Sequence, residues 1–144
     1  MNKTIVVTGS RTITEADIIM FAGISGDTHP ATTNREYAAN TSINGKIIAH
    51  GLLVISVSEG LFVMTNYYDW ERIPLVTLGF ENVRFPNPVF QGDTIHSEIS
   101  IVSTRNSRSQ KDKKVIVFHV EVKNQKGDTV CEYDHPLLVE VEGK

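Results

Sequence analysis

Asp27 and His29 are the residues whose types and spacing first suggest proton-transfer chemistry. A carboxylate can take a proton, and an imidazole can give or take one near neutral pH. Because His29 precedes Pro30, its backbone is biased towards an extended conformation, which would place the two side chains on a similar side of the chain. The pair is therefore a candidate acid–base site in a polar segment.

Each of these residues also has an interpretation without catalysis. Asp27 could form an Asx-turn, in which its carboxylate accepts the N–H groups of Thr28 and His29. His29 could instead hydrogen-bond the backbone of its own loop. A histidine beside a carboxylate in a polar loop is typical of both cases, so the residue types leave the role of the pair open.

The neighbouring elements determine where this pair lies. Thr14 and Asp17 form a capping pattern that predicts the start of a helix. Gly26 ends that helix and places the candidate carboxylate just past its C-terminus. We expect residues 28–34 to form a long structured loop and residues 35–39 to form one short helical turn.

Residues 52–64 predict a helix that lies in the core. Apolar side chains occupy every side of its helical wheel, so we expect a helix that is buried all round. The stretch is too short to span a membrane and is interrupted by Ser56, Ser58, Glu59 and Gly60. We interpret Glu59 as a residue that lies at a dimer interface or reaches solvent.

The second half of the chain predicts antiparallel strands. Apolar and polar residues alternate over residues 95–101 and 116–122, and a last strand follows over residues 129–141. Residues 76–85 predict a further strand, in which the apolar side changes midway as a one-residue β-bulge would cause. Residues 103–114 are interpreted as a polar hairpin tip.

An antiparallel sheet wrapped around a central buried helix is an α+β fold. The length of 144 residues suits one domain and we find no repeat or linker, so we assign residues 1–144 to a single domain. With 40% hydrophobic and 22% charged residues, the composition excludes a disordered polypeptide.

The charge and the cysteine content indicate which partners and which cellular location to expect. A formal net charge of -3, from 14 Lys+Arg and 17 Asp+Glu, argues against a nucleic-acid partner. The lone Cys131 cannot form an internal disulfide, which suggests a reducing compartment. Residues 1–10 contain no apolar export signal. We therefore predict a cytoplasmic protein with no membrane partner.

Three motifs resemble those of one family. They are FAGISGDTHP at residues 21–30, IAHGLL at residues 48–53 and FPNPVFQGD at residues 85–93. Their order is similar to that in the MaoC-like hydratase/dehydratase family, which includes the (R)-specific enoyl-CoA hydratases. The resemblance implies a hot-dog fold, usually as a homodimer with active sites between subunits. We therefore expect a homodimer or a higher homo-oligomer.

The resemblance also implies roles for the polar segment. The family pattern Gly-Asp-x-Asn-Pro-x-His places its aspartate on Asp27, its asparagine on His29 and its final histidine on Thr32. The catalytic imidazole is thus missing from its usual place. A threonine hydroxyl does not titrate near neutral pH, but it can hold a water. The resemblance implies Asp27 as the base, and we expect His29 to donate a proton through a water held by Thr32.

The second motif implies an oxyanion site. In the family, the backbone N–H of the glycine that matches Gly51 donates to the thioester carbonyl at the start of the central helix. A helix N-terminus has unpaired N–H groups and a positive dipole end, which stabilise a developing enolate oxygen. We place His50 beside Gly51 in the substrate-binding set and interpret it mainly as a buried histidine bonded to backbone.

These residues predict an acyl-CoA hydratase or dehydratase that acts reversibly on a 2-enoyl or 3-hydroxyacyl thioester of CoA or of an acyl carrier. One alternative is a non-catalytic acyl-thioester-binding subunit or a partner in a hetero-oligomer, and another is a hot-dog thioesterase. No cofactor is expected, because the sequence has neither a phosphate loop nor a dinucleotide fingerprint. No metal site is expected either, since no His, Cys or Asp cluster has zinc-site spacing.

Overall fold

The computed structural model describes residues 2–41 and 45–141. Its helices are α1 (Glu15–Ser25), α2 (Pro30–Thr33), α3 (Arg35–Thr41) and α4 (Gly51–Met64). Its strands are β1 (Thr4–Val7), β2 (Arg11–Thr12), β3 (Leu75–Thr77), β4 (Glu81–Arg84), β5 (Thr94–Asn106), β6 (Lys113–Lys123) and β7 (Thr129–Glu140).

The strands form an antiparallel sheet that packs against α4. Their order is β1-β5-β6-β7-β3, with β2 paired to β5 and β4 paired to β7. Phe62 of α4 meets Phe118 of β6 in the core, where the ring centroids are 5.3 Å apart. The predicted α+β fold, with an antiparallel sheet around a central helix, is confirmed.

Capping residues fix both ends of α1. The Thr14 hydroxyl accepts the Asp17 N–H at 3.2 Å, and the Asp17 carboxylate accepts the Thr14 N–H at 2.9 Å. Gly26 closes the helix with a φ of 76°, a left-handed conformation that glycine adopts without strain. The helix therefore starts and ends as predicted, and the residue after Gly26 emerges beside the N-terminus of α4.

Two elements near the site differ from the predictions. The loop predicted over residues 28–34 is wrong in part, because Pro30–Thr33 forms the short helix α2. Pro30 occupies its first turn, where a missing N–H costs nothing, and His29 is its N-cap. Helix α3 continues to Thr41, past the short turn predicted over residues 35–39.

The sheet also departs from the prediction. The strand predicted over residues 76–85 is divided into β3 and β4, and a register irregularity between Glu81 and Arg84 accompanies a φ of 53° at Asn82. Three residue steps from Glu81 to Arg84 lie opposite two steps from Asp134 to Glu132, so β4 contains the one-residue bulge that the change of apolar side predicts. Strands β1 and β2 were not predicted. Such short strands are defined by their pairing with β5, which a local sequence pattern does not show. The hairpin tip is narrower than predicted and covers residues 107–112.

The prediction that the central helix is buried all round is wrong. Val54 and Phe62 are buried against the sheet, whereas Leu52 and Met64 are 67% and 76% exposed. A single sheet covers one side of a helix, so the opposite side of α4 is uncovered in one chain. Within the part of the chain that the structure describes, no helix is long and apolar enough to cross a bilayer.

Candidate active site

Two adjoining cavities open at the N-terminus of α4. The polar pocket has a volume of about 360 Å³ and is lined by Phe21, Ser25, Asp27, His29, Ala31, Thr32, Ile48, Ala49, His50, Gly51 and Leu52. The apolar groove has a volume of about 920 Å³ and is lined by Phe21, Gly51, Leu52, Ile55, Ser56, Glu59, Phe80, Val83 and Phe85. The structure therefore brings all the predicted site residues to the polar pocket, and Gly51 borders both cavities.

Asp27 follows the C-cap of α1 and has an exposed side chain. Its Oδ1 accepts the His29 N–H over a long 3.4 Å, and its own N–H donates to Ser25 Oγ at 3.1 Å. The Thr28 N–H donates to the carbonyl of Gly26 instead, so the predicted Asx-turn is formed through one amide only. The carboxylate keeps most of its acceptor capacity free for a ligand in the polar pocket.

His29 is the N-cap of α2. Its Nδ1 accepts the N–H of Ala31 in α2 at 3.1 Å, so the alternative in which His29 hydrogen-bonds nearby backbone is present in the structure. A nitrogen that accepts a hydrogen bond carries no proton, so the neutral ring holds its proton on Nε2. His29 can therefore donate a hydrogen bond through Nε2 without giving up its capping role.

Thr32 is buried on the wall of the polar pocket, where it is 7% exposed. Its hydroxyl donates to the backbone carbonyl of His29 at 2.8 Å. The hydrogen of this hydroxyl is thus occupied, and the oxygen can only accept a further hydrogen bond. Thr32 can hold a water through that oxygen.

His50 is a buried residue that is bonded to backbone, as predicted. Its Nε2 lies 2.9 Å from the carbonyl oxygen of Asp27 and donates to it, and its ring packs 5.0 Å from that of Phe21. The Nδ1 of His50 has no hydrogen-bond partner among the described residues. With the proton on Nε2, this buried Nδ1 is an acceptor on the wall of the polar pocket.

Gly51 is the first residue of α4, and no side chain caps this helix end. Its backbone N–H donates to no described residue, which leaves a free donor at the positive end of the helix dipole. A Cβ at this position would lie 2.7 Å from the ring of Phe85. Only glycine therefore allows Phe85 to pack across the start of the helix, where the two cavities meet.

Glu59 lines the apolar groove with its side chain 24% exposed, so it reaches solvent as interpreted, and the dimer-interface alternative stays a prediction. The Tyr133 hydroxyl donates to its carboxylate at 2.6 Å. Burial, and then the charge of Glu59, hold the pKa of Tyr133 far above its ordinary value, so the hydroxyl keeps its proton. Sequence reasoning missed Tyr133 and His135, although both take inward positions of β7 at which alternation predicts apolar residues.

Titratable side chains elsewhere in the described residues do not form a metal centre. In residues 2–41 and 45–141, no group of three or more His, Cys, Asp and Glu side chains is placed to hold a metal ion. The residues of the polar pocket instead offer a carboxylate, an imidazole donor and a free backbone N–H. This set can move a proton and stabilise a negative oxygen.

Comparison with known proteins identifies the class. The family model described as "MaoC like domain" matches residues 2–124, so the chain belongs to this family. Its architecture is the hot-dog fold.

Particular relatives are similar over different shares of their length. The chain is 38% identical over 109 residues to Protein MaoC of Klebsiella aerogenes, a match that covers 74% of this chain but only 31% of that protein. It is 30% identical over 134 residues to the (R)-specific enoyl-CoA hydratase of Rhodospirillum rubrum, covering 93% of this chain and 85% of the relative. A solved Archaeoglobus structure, named a monoamine oxidase regulatory protein, superposes with a TM-score of 0.86 at 32% identity, over 99% of this chain and 92% of that one.

Proposed function

We propose that the chain is a hydratase or dehydratase that acts on a 2-enoyl or 3-hydroxyacyl thioester of CoA or of an acyl carrier. The observation that carries this proposal is that the Asp27 carboxylate and the free N–H of Gly51 line one pocket, which continues into an apolar groove. A base, an oxyanion donor and a place for an acyl chain are the parts that the reaction needs. The similarity to the Rhodospirillum hydratase supports the same reaction class.

The thioester oxygen would accept the Gly51 N–H. In the hydration direction, a water in the polar pocket gives a proton to the Asp27 carboxylate and its oxygen bonds to the β-carbon. The electron pair of the double bond moves towards the thioester, and Gly51 stabilises the resulting enolate oxygen. Asp27 then returns its proton to the α-carbon, so the step is balanced without another acid.

In this scheme His29 and Thr32 orient the water. From the sequence we expect His29 to supply the proton, and this role stays a prediction. The contact of His29 Nδ1 with the Ala31 N–H favours orientation instead, because a second proton on that nitrogen would point at another N–H group. The Nε2 of His29 can donate to the water, while the Thr32 oxygen can accept from it.

The apolar surface left on the helices supports our expectation of a homodimer. Ile24 of α1 and Met64 of α4 are 86% and 76% exposed, and Leu52 beside the site is 67% exposed. Exposed apolar side chains of this size mark surfaces that bind another protein or a ligand. We propose that a second copy covers part of this surface. A cytoplasmic location also stays our prediction.

The first experiment mixes the purified protein with crotonyl-CoA and follows the enoyl absorbance and the free thiol in the same sample. Loss of enoyl signal without thiol supports the hydratase. Release of thiol would identify a thioesterase instead. Binding of the thioester without turnover, followed by activity when a second subunit is added, would support the partner-subunit alternative that Thr32 motivates.

A further inference from the structure

A directed chain of hydrogen bonds ends at Glu59. The Tyr133 hydroxyl donates its one hydrogen to Glu59 Oε1 at 2.6 Å. The 2.8 Å contact between Ser58 and Tyr133 must then be donated by Ser58, and the 2.8 Å contact between Ser97 and Ser58 by Ser97. Every hydroxyl in the chain points its hydrogen towards Glu59, which suits an ionised carboxylate.

The second oxygen of Glu59 faces a buried histidine. The Nδ1 of His135 lies 3.0 Å from Glu59 Oε2 but off the line of a hydrogen bond, and it has no hydrogen-bond partner among the described residues. A bare nitrogen would repel the carboxylate, so a proton on Nδ1 is the compatible state. His135 is 2% exposed and stacks on Phe80 with ring centroids 4.6 Å apart. These contacts hold Glu59 in one place.

This fixed carboxylate lies on the wall of a groove that is otherwise mostly apolar. The Glu59 side chain is 24% exposed, and its neighbours in the groove include Ile55 and Val83. Glu59 lies eight residues after Gly51 on α4, which corresponds to about 12 Å along the helix axis. Because side chains of a helix lean towards its N-terminus, the carboxylate lies nearer to Gly51 than that.

We propose that Glu59 is a specificity-determining residue that selects acyl groups carrying a hydrogen-bond donor, such as a hydroxyl, at the end far from the thioester. This rests on the proposed function, because the thioester must lie at Gly51. An alkyl end at Glu59 would remove water from a carboxylate and give no hydrogen bond in return. A terminal hydroxyl can donate to a free lone pair of Glu59, whereas a terminal carboxylate is repelled.

The test compares kcat/KM for 2-octenoyl-CoA and its ω-hydroxy derivative. An extended eight-carbon chain, with C–C bonds near 1.5 Å, spans roughly 9 Å, which is comparable with the rise along α4 from Gly51 to Glu59. We expect the wild type to favour the hydroxylated substrate by about tenfold or more. Glu59→Leu should reverse the order, and Glu59→Gln should weaken the preference while it keeps an acceptor for Tyr133, in case the leucine variant fails to fold.

A matched control is Glu121→Leu, which removes a half-exposed carboxylate of β6 that does not line the groove. It should keep the preference of the wild type. The proposal is overturned if the wild type shows equal kcat/KM for the two substrates. It is also overturned if both Glu59 variants keep the preference of the wild type. In either case, hydration of crotonyl-CoA would still support the proposed function.

Binding measurements test the role of Glu59 independently of turnover. If no thioester is hydrated, calorimetry with octanoyl-CoA and ω-hydroxyoctanoyl-CoA tests Glu59 alone. Tighter binding of the hydroxylated ligand by the wild type, lost in Glu59→Leu, supports the subsite even though the proposed function has failed. Equal affinity for the two ligands overturns it.

Discussion

The Nε2 of His50 donates to the carbonyl oxygen of Asp27 over 2.9 Å. This bond joins the N-cap residue of α4 to the residue that follows the C-cap of α1. It therefore fixes the candidate base relative to Gly51, the candidate oxyanion donor, which is the next residue after His50. The relative position of Asp27 and Gly51 therefore depends on His50, which takes no part in the proton transfer that we propose.

His50→Phe tests this positioning role. The variant keeps an aromatic ring against Phe21 and removes the bond to Asp27. We expect a loss of about 1 kcal/mol in the free energy of unfolding. We also expect kcat to fall by about tenfold with KM little changed, because misplacement of the base affects the reacting geometry more than binding. His50→Gln, which retains a donor, should recover part of kcat. A Phe variant with the kcat of the wild type contradicts the role.

His29→Asn separates capping from catalysis. Asparagine is a good N-cap, so α2 should remain stable, whereas His29→Ala should lose about 1 kcal/mol of stability. Both variants lack the Nε2 donor that orients the water, and we expect turnover of crotonyl-CoA to fall by about tenfold in each. Unimpaired turnover by both variants would show that His29 only caps the helix, since alanine has no side-chain donor.

Thr32→His tests the departure from the family pattern. The variant places an imidazole on the wall of a pocket of about 360 Å³, where the pattern has its histidine. We expect kcat for crotonyl-CoA to rise by about tenfold or more, because the pocket gains a group that titrates near neutral pH. Thr33→His, at an exposed neighbouring position, is the matched control and should leave kcat unchanged. A rise in both variants, or in neither, contradicts this prediction.

Asp17→Asn tests the capping of α1, the helix that leads into Asp27. The hydrogen bond from the backbone N–H of Thr14 is the largest cause of the lowered pKa of Asp17. Burial opposes it, and the Thr14 hydroxyl and the Arg11 guanidinium at 2.6 Å lower the pKa further. A lowered folded-state pKa gives stability that is present above the unfolded pKa, near 3.9, and is lost as the pH falls through the folded value.

We therefore expect the free energy of unfolding of Asp17→Asn to be about 1 kcal/mol lower than that of the wild type at pH 7. Denaturant titrations of the variant and the wild type should converge as the pH falls below 4. A difference that stays constant down to the lowest pH would contradict the capping account. Asp69→Asn, which replaces a half-exposed carboxylate, is a control with little expected effect at either pH.

Local signals in the sequence account for much of the fold. The capping box at Thr14 and Gly26 determines α1 through contacts within a few residues, so the sequence predicts it well. Strand β2 and the division between β3 and β4 depend on pairing with β5 and β7, which local alternation does not contain. The exposed face of α4 has the same origin, because the apolar pattern of the helix does not show which side the sheet covers.

The sequence predicts which residues form the candidate site but not their hydrogen bonds. Motif spacing brings Asp27, His29 and Gly51 to one pocket, as the structure has them. The spacing does not reveal which ring nitrogen of His29 is occupied, since that depends on the Ala31 N–H of a helix that was predicted as a loop. The contact between Glu59 and Tyr133 joins residues 74 positions apart and was likewise not accessible from the sequence pattern.

The most direct test of the central claim is the rate at which Asp27→Asn hydrates crotonyl-CoA, measured beside the wild type. The amide is similar in shape to the carboxylate and can keep the contact with the His29 N–H, but it cannot take a proton from water. The account predicts a fall in kcat of about a hundredfold or more with the fold intact. A variant that turns over at the rate of the wild type would contradict Asp27 as the base and, with it, the proposed mechanism.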